Sequence, residues 1–277
     1  MKTEITVKDI TTILESAIPA GLQEEWDNSG LLIGFEETQV HRILTCLELD
    51  MHVAEEAIRK SAEMIVTHHP LIIGSIRSIR HDDPQGALII NLIREEISVY
   101  SCHTPFDKVN GGNNDALAGL LKLKKITDLA GDSVPAADKM LASPSEMHIG
   151  RIGRLQTPLR LSQVIDFSCE ALGLVPAQLK VVGNLDAEIS KIGICTGAGA
   201  EYIEQAAAMG CQLFITGDLK YHQAQDAKAI GMCVIDAGHY GTEKIFPAVM
   251  KVQLEKLLPG SIDVIASEVD LDPFLVL

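Results

Sequence analysis

Two histidines stand side by side in VTHHPLI (66–72), at the end of an apolar run. Along an extended segment, neighbouring side chains point to opposite sides. His68 and His69 are then poorly placed to chelate one ion and well placed to serve two. Two other stretches carry the same residue types. SCHTPFD (101–107) offers His103 and Asp107, and DAGHYGTE (236–243) offers His239 and Glu243. His239 and Glu243 are four apart and share one face if the chain turns helical near Gly238–Gly241. A carboxylate has two oxygens and can bridge two cations, whereas an imidazole gives one nitrogen per ion. Glu243 is therefore the natural bridge. The spacing assigns His68, Asp107 and Glu243 to one ion, and His69, His239 and Glu243 to the other. Five donors for two ions leave positions for water, which a catalytic site needs and a saturated structural site lacks. Imidazole mixed with carboxylate suits Zn, Mn, Fe, Co or Ni better than Ca or Mg. The expected cofactor is two divalent transition metal ions, with the element left open. Each motif alone has a plainer account, a loop HH pair or a solvated HxxxE pair. Their joint placement at strand ends is what argues for metal.

The elements around them alternate. HRILTCLEL (41–49), EMIVTHH (63–69) and ISVYSCH (97–103) read as strands, and residues 50–62 and 83–96 read as helices. This predicts βαβ units and a largely parallel sheet, with functional groups beyond the carboxyl ends of the strands. A helix is expected over 7–18, and a loop feeding a helix over 111–123, with Asn113 or Asn114 as cap. The turn-rich stretch 129–146 reads as the passage to a second lobe. Residues 191–222 then resemble residues 42–72, with Thr216 against Thr67, and 232–243 resembles 97–107. The fold class expected is α/β, with two similar α/β lobes from an internal repeat facing a shared metal-binding cleft. The first lobe is placed at 1–125 with 236–277, and the second at 126–235.

Composition sets limits. The 277 residues are 47% hydrophobic but only 4% aromatic, so the core is aliphatic. The net charge of −15 disfavours nucleic acid and anionic membranes as partners. The N-terminus lacks the apolar stretch of a signal peptide, and no apolar run reaches spanning length. The six cysteines form no CxxC pair and read as reduced, buried thiols. A soluble, cytoplasmic protein is expected.

Several motifs agree in order and spacing with one known family. EEWDNSGLLIG, VTHHPLI, CHTPFD, GGNNDALA, TGDLKYH, DAGHYGTE and SEVDLDPF run nearly end to end. Together they resemble the NIF3-like family, also labelled GTP cyclohydrolase I type 2 homologues or dinuclear metal centre proteins. The resemblance implies two metals on His68, His69, Asp107, His239 and Glu243, the set argued above. It also implies two α/β lobes facing a shared cleft, a homohexameric toroid, and GTP ring opening with loss of formate. Some longer members carry an inserted middle domain, for which this chain is too short.

Other residues are weaker candidates. His103 shares a loop with Asp107 and reads as a supporting or proton-transfer group, against the plainer reading of a loop histidine bonded to backbone. His222, in GDLKYHQ, takes the place of HHP in the second repeat and reads as a general acid or substrate contact. Asp218 in the same loop is a weaker candidate still. TGAG (196–199) has the form of a phosphate-receiving turn. Trp26 reads as a packing anchor, and His41, His52, His81 and His148 as surface residues. The function expected is a dinuclear-metal-dependent hydrolase acting on a small molecule, with nucleotides, phosphoesters and cyclic amidines as candidates. The alternative is a non-catalytic metal-binding oligomeric scaffold or regulatory protein.

Overall fold

The computed structural model describes residues 5–130 and 147–276. The strands, in chain order, are β1 (Gly30–Ile33), β2 (Arg42–Cys46), β3 (Met64–Thr67), β4 (Ser98–Ser101), β5 (Lys124–Asp128), β6 (Arg151–Arg160), β7 (Lys180–Val182), β8 (Glu188–Ala198), β9 (Leu213–Gly217), β10 (Cys233–Asp236) and β11 (Asp263–Ala266). The α-helices are α1 (Val7–Ala17), α2 (Met51–Arg59), α3 (Pro84–Arg94), α4 (Thr104–Lys108), α5 (Asn113–Leu120), α6 (Leu161–Leu172), α7 (Ile203–Ala208), α8 (Tyr221–Ala229), α9 (His239–Glu243) and α10 (Phe246–Leu257).

The strands form two mixed sheets, ordered β1-β4-β3-β2-β11 and β5-β6-β8-β9-β10-β7. In the first, β2, β3, β4 and β11 run parallel, and β1 is antiparallel at one edge. In the second, β8, β9 and β10 run parallel, while β7, β6 and β5 add on antiparallel. The largely parallel sheet expected from the alternation therefore holds for the first unit and for half of the second. The internal repeat is visible in these orders. Each unit has three parallel strands joined by helices, closed by an antiparallel edge strand that precedes them in the chain. Thr67 ends the middle strand of the first set and Thr216 is the last residue but one of the second, and both are buried. The Thr67 hydroxyl donates to Leu47 O (3.0 Å) and the Thr216 hydroxyl to Gly197 O (3.2 Å), each just past or at the end of the preceding parallel strand.

The chain groups into two compact units. One holds the residues up to Phe106 together with Phe246–Leu271; the other holds Asp107–Ile245 and the tail from Asp272. Residues 107–125, 236–245 and the tail from Asp272, read from sequence as part of the first lobe, thus group with the second. The reason is local. Helix α5 lies against β8 and β6, and β10 needs β9 as its parallel neighbour. The turn-rich stretch 129–146 lies from residue 131 onward outside the described residues.

Capping fixes where the helices that follow β2 and β3 begin. Asp50 accepts from Val53 N (2.9 Å) at the start of α2. Asp83 accepts from Gly86 N (2.8 Å) ahead of Pro84, the first residue of α3. The central strands are aliphatic and buried: β3 (MIVT) is buried at every position, as parallel strands covered on both faces should be. The first unit's core joins Leu44, Ile65 and Val99 to Val53, Ala57, Leu88 and Leu92 from α2 and α3. In the second unit one core gathers Leu117, Leu161, Ile194 and Ile215, and another gathers Phe214, Val234 and Ile203.

All six cysteines are buried free thiols. Burial pushes the Cys46 thiol up to about 12 and the Cys211 thiol to about 11. Because the thiolate is the reactive form, the native protein is expected to resist alkylation at neutral pH and to titrate six thiols only in denaturant. Rapid labelling of folded protein, read by intact mass, would contradict this.

Candidate metal centre

In the first unit the donors follow the ends of β2, β3 and β4. The Thr67 hydroxyl also donates to His69 O (3.1 Å), and the chain bends at 68–69. His68, His69 and His103 each bring a ring nitrogen within 4.8 Å of the others. Their ring centroids are 5.1–5.5 Å apart.

Each of these rings is held from behind. His68 is fully buried, and its Nδ1 lies 2.9 Å from Cys102 O. A carbonyl only accepts, so the proton sits on Nδ1 and Nε2 carries the lone pair. His69 Nδ1 is 2.5 Å from Glu48 Oε2, and His103 Nδ1 is 2.8 Å from Asp27 Oδ1. Burial alone would raise the Asp27 carboxyl. Hydrogen bonds from His103, Thr104 and Asn28 N outweigh it and hold the group well below the usual carboxylate range. Asp27 is what the EEWDNSG stretch contributes. Its neighbour Trp26 is 61% exposed and meets the His103 ring edge-on, so it is not the core anchor the sequence suggested.

In the second unit His239 and Glu243 open and close α9, as the HxxxE spacing required. His239 Nδ1 lies 2.8 Å from Asp218 Oδ2, and Nε2 lies 2.9 Å from Glu243 Oε2. An imidazole nitrogen and a carboxylate oxygen at that distance share a cation, a proton or a metal ion. Glu243 and Asp107 are both buried, each with a carboxylate oxygen within 4.8 Å of one on the other. Asn113 Nδ2 donates to Asp107 Oδ1 (3.1 Å), and Asn114 Nδ2 to Asp107 O (3.0 Å). These asparagines do not cap α5, whose N-cap is Gly112; they turn inward and fix Asp107.

TGAG is not a phosphate cradle. Its amides are used within the fold: Thr196 N donates to Asn114 Oδ1, Gly197 N to Thr242 Oγ1 and Gly199 N to Thr216 Oγ1, each at 2.9 Å. The loop's role is close approach. Gly197 has φ +66°, and a Cβ there would lie 2.2 Å from Glu243 Oε1 and 3.3 Å from His239 Nε2. Only glycine leaves room for that carboxylate.

His222 is exposed at the second position of α8 and belongs to no donor group among the described residues. Two residues beyond the matched threonines stand His69 and Asp218, so Asp218, not His222, takes the place of the HH pair. Asp218 adopts φ +55°, a left-handed conformation uncommon outside glycine but accessible to Asp. The repeat alignment contained this signal. Glu48 was also within reach of sequence reasoning, because it follows β2 as the histidines follow β3.

All four histidines thus share one arrangement, with Nδ1 on a carboxylate or carbonyl. Metal-ligating histidines carry this support, which fixes the ring and the tautomer. Imidazoles with buried carboxylates suit a divalent transition ion. The chain matches Duf34/NIF3 (NGG1p interacting factor 3) over residues 5–273. It belongs to the NIF3 family. A GTP cyclohydrolase 1 type 2 homolog of Clostridium acetobutylicum is 34% identical over 98% of both chains. The Protein NIF3 homolog of Schizosaccharomyces pombe is 33% identical over 94% of both. Among solved structures, a Bacillus cereus protein related to NIF3 superposes with TM-score 0.89 at 25% identity, covering both chains fully. This NIF3 family member accordingly carries buried His, Asp and Glu groups that could bind metal ions. No helix among its described residues is long and apolar enough to cross a membrane.

Proposed function

We propose that this NIF3 family member is a dinuclear-metal-dependent hydrolase. His68 and His69 of the first unit and Asp107, His239 and Glu243 of the second would hold two divalent transition ions. The observation that carries the reading is the support behind each imidazole: Cys102 O, Glu48 and Asp218 lock His68, His69 and His239 as Nε2 donors. When bound, the ions supply Lewis acidity, lowering the pKa of water and polarising an oxygen of the substrate.

The chain's own part is positioning and proton transfer. Glu48 and Asp218 hold the rings. Asn113 and Gly197 keep the Asp107 and Glu243 carboxylates in place. His103 moves a proton at Nε2, since its Nδ1 is anchored on anionic Asp27; a carboxylate behind an imidazole orients it and stabilises its protonated form. The relatives' name, GTP cyclohydrolase 1 type 2 homolog, supplies the first substrate to try: hydrolytic opening of a purine ring at C8 with loss of formate. Related nucleotides and phosphoesters follow. The homohexameric assembly belongs to the same reading.

The test uses protein loaded in turn with Zn, Mn, Fe, Co and Ni, offered GTP, other nucleotides and phosphoesters, with formate and phosphate measured. Turnover of at least one substrate is expected, with chelation reducing it to background and metal restoring it. No turnover of any compound by protein shown to hold two ions per chain would sink the reading. A hexamer that dissociates on chelation would point instead to a structural role for the metal.

A further inference from the structure

A cavity of about 530 Å³ lies beside His239 in the second unit. Its size falls in the range of small-ligand sites, about 300–1,000 Å³. One wall is apolar, built from Leu174, Ala237 and the C-terminal Phe274 and Leu275. Phe274 is 78% exposed, an aromatic ring left in water at the rim. The charged lining is unbalanced, with Asp218, Asp236 and Asp272 against Lys180. The Lys180 ammonium lies 3.2 Å from Asp236 Oδ2. Asp218 already holds His239 and Asp236 holds Lys180, yet three carboxylates together disfavour a phosphate, and Asp272 can take N–H donors besides Phe274 N, because carboxylate oxygens only accept.

We propose that this cavity receives the ring of the substrate, and that the ring is an uncharged, N–H-rich heterocycle of the cyclic amidine class, guanine being one. Phe274 stacks on the ring, Asp272 accepts its N–H groups, and any phosphates stay outside. The inference deepens the hydrolase reading and rests on it in one respect: His239 marks the reacting end.

The probes are guanosine and GTP, bound to full-length, zinc-loaded protein and measured by equilibrium dialysis. Both should bind, within about threefold of each other, because the phosphates gain no partner in the cavity. Phe274→Ala should weaken guanosine about 3- to 10-fold, the scale of one aromatic stacking contact. Asp272→Asn should weaken it about tenfold, the scale of a hydrogen bond to a charged group. Both variants should fold and keep their zinc. Phe274 is mostly solvated, and asparagine retains the Oδ1 that accepts from Phe274 N (3.0 Å). Unchanged guanosine affinity in both variants would overturn the assignment. So would failure of the wild type to bind guanosine, or GTP binding more than about 100-fold tighter than guanosine. Binding is read without turnover, so the two ideas fail separately. Turnover with variants that bind like wild type removes the cavity assignment alone; the expected binding pattern without turnover removes the hydrolase alone.

Discussion

Alanine at position 197 is expected to cost the protein as much metal as loss of Glu243 itself, although Gly197 has no side chain to donate. Two effects combine. The residue sits at φ +66°, where a Cβ is strained. The added methyl would also overlap Glu243 Oε1 at 2.2 Å and approach the Glu243 Cδ at 3.0 Å. The carboxylate must move, and it is the group proposed to bridge both ions. Supporting residues around metal ligands cost about 10- to 100-fold in affinity when lost. Displacing a bridging ligand should reach at least the upper end, about 100-fold. Glu243→Gln gives the reference value, because the amide keeps the shape and removes the charge. Metal content by elemental analysis, with affinity by competition against a chelating dye, reads both variants. Gly197→Ala protein that binds two ions at wild-type affinity would show that Glu243 is not a ligand, or that the loop yields. Structures of the two metal-loaded proteins would tell these apart.

The donors themselves were legible in the sequence because their chemistry is local. HxxxE became α9 with its two ends facing one another, and three separate strand ends carried the histidines. Element positions followed equally well where capping and burial agree, as at Asp50 and Asp83. What stayed hidden depends on distant pairing. Nothing near Asp27 announces that it will meet His103, 76 residues away. TGAG misled because a short glycine-rich turn fits either an anion or a close-packed neighbour. Only the contact with Glu243 decides. Residue type favours His222 over Asp218, whereas counting from the matched threonines favours Asp218.

Arg151 is where the largest loss of stability is expected. It is only 1% exposed, yet it carries a full charge in the second unit. Its guanidinium meets Asp115 through Nε (2.9 Å) and Nη2 (3.1 Å), and Asp128 through Nη1 (3.2 Å). It also donates to the carbonyls of Lys108 (2.8 Å), Val109 (3.1 Å), His148 (3.1 Å) and Gly150 (2.8 Å). The first two carbonyls immediately follow Asp107, so the clamp fixes the segment that presents this proposed ligand. Arg151→Met removes the ion pair of the buried Asp128 carboxylate and the hydrogen bonds that Arg151 gives to four carbonyls. Breaking a buried ion pair from one side costs about 3–5 kcal/mol. For a chain of this size that should lower Tm by about 10 °C. Lysine should not rescue, since one ammonium has three donors and no planar fork. Asp128→Asn in the Arg151→Met background should recover part of the loss, because it removes a buried charge that has lost its guanidinium. Thermal melts of metal-free protein measure the clamp alone, and repeating them with metal shows whether Asp107 loosens with it. A Tm shift under about 2 °C for Arg151→Met would mean that water replaces the guanidinium with little penalty.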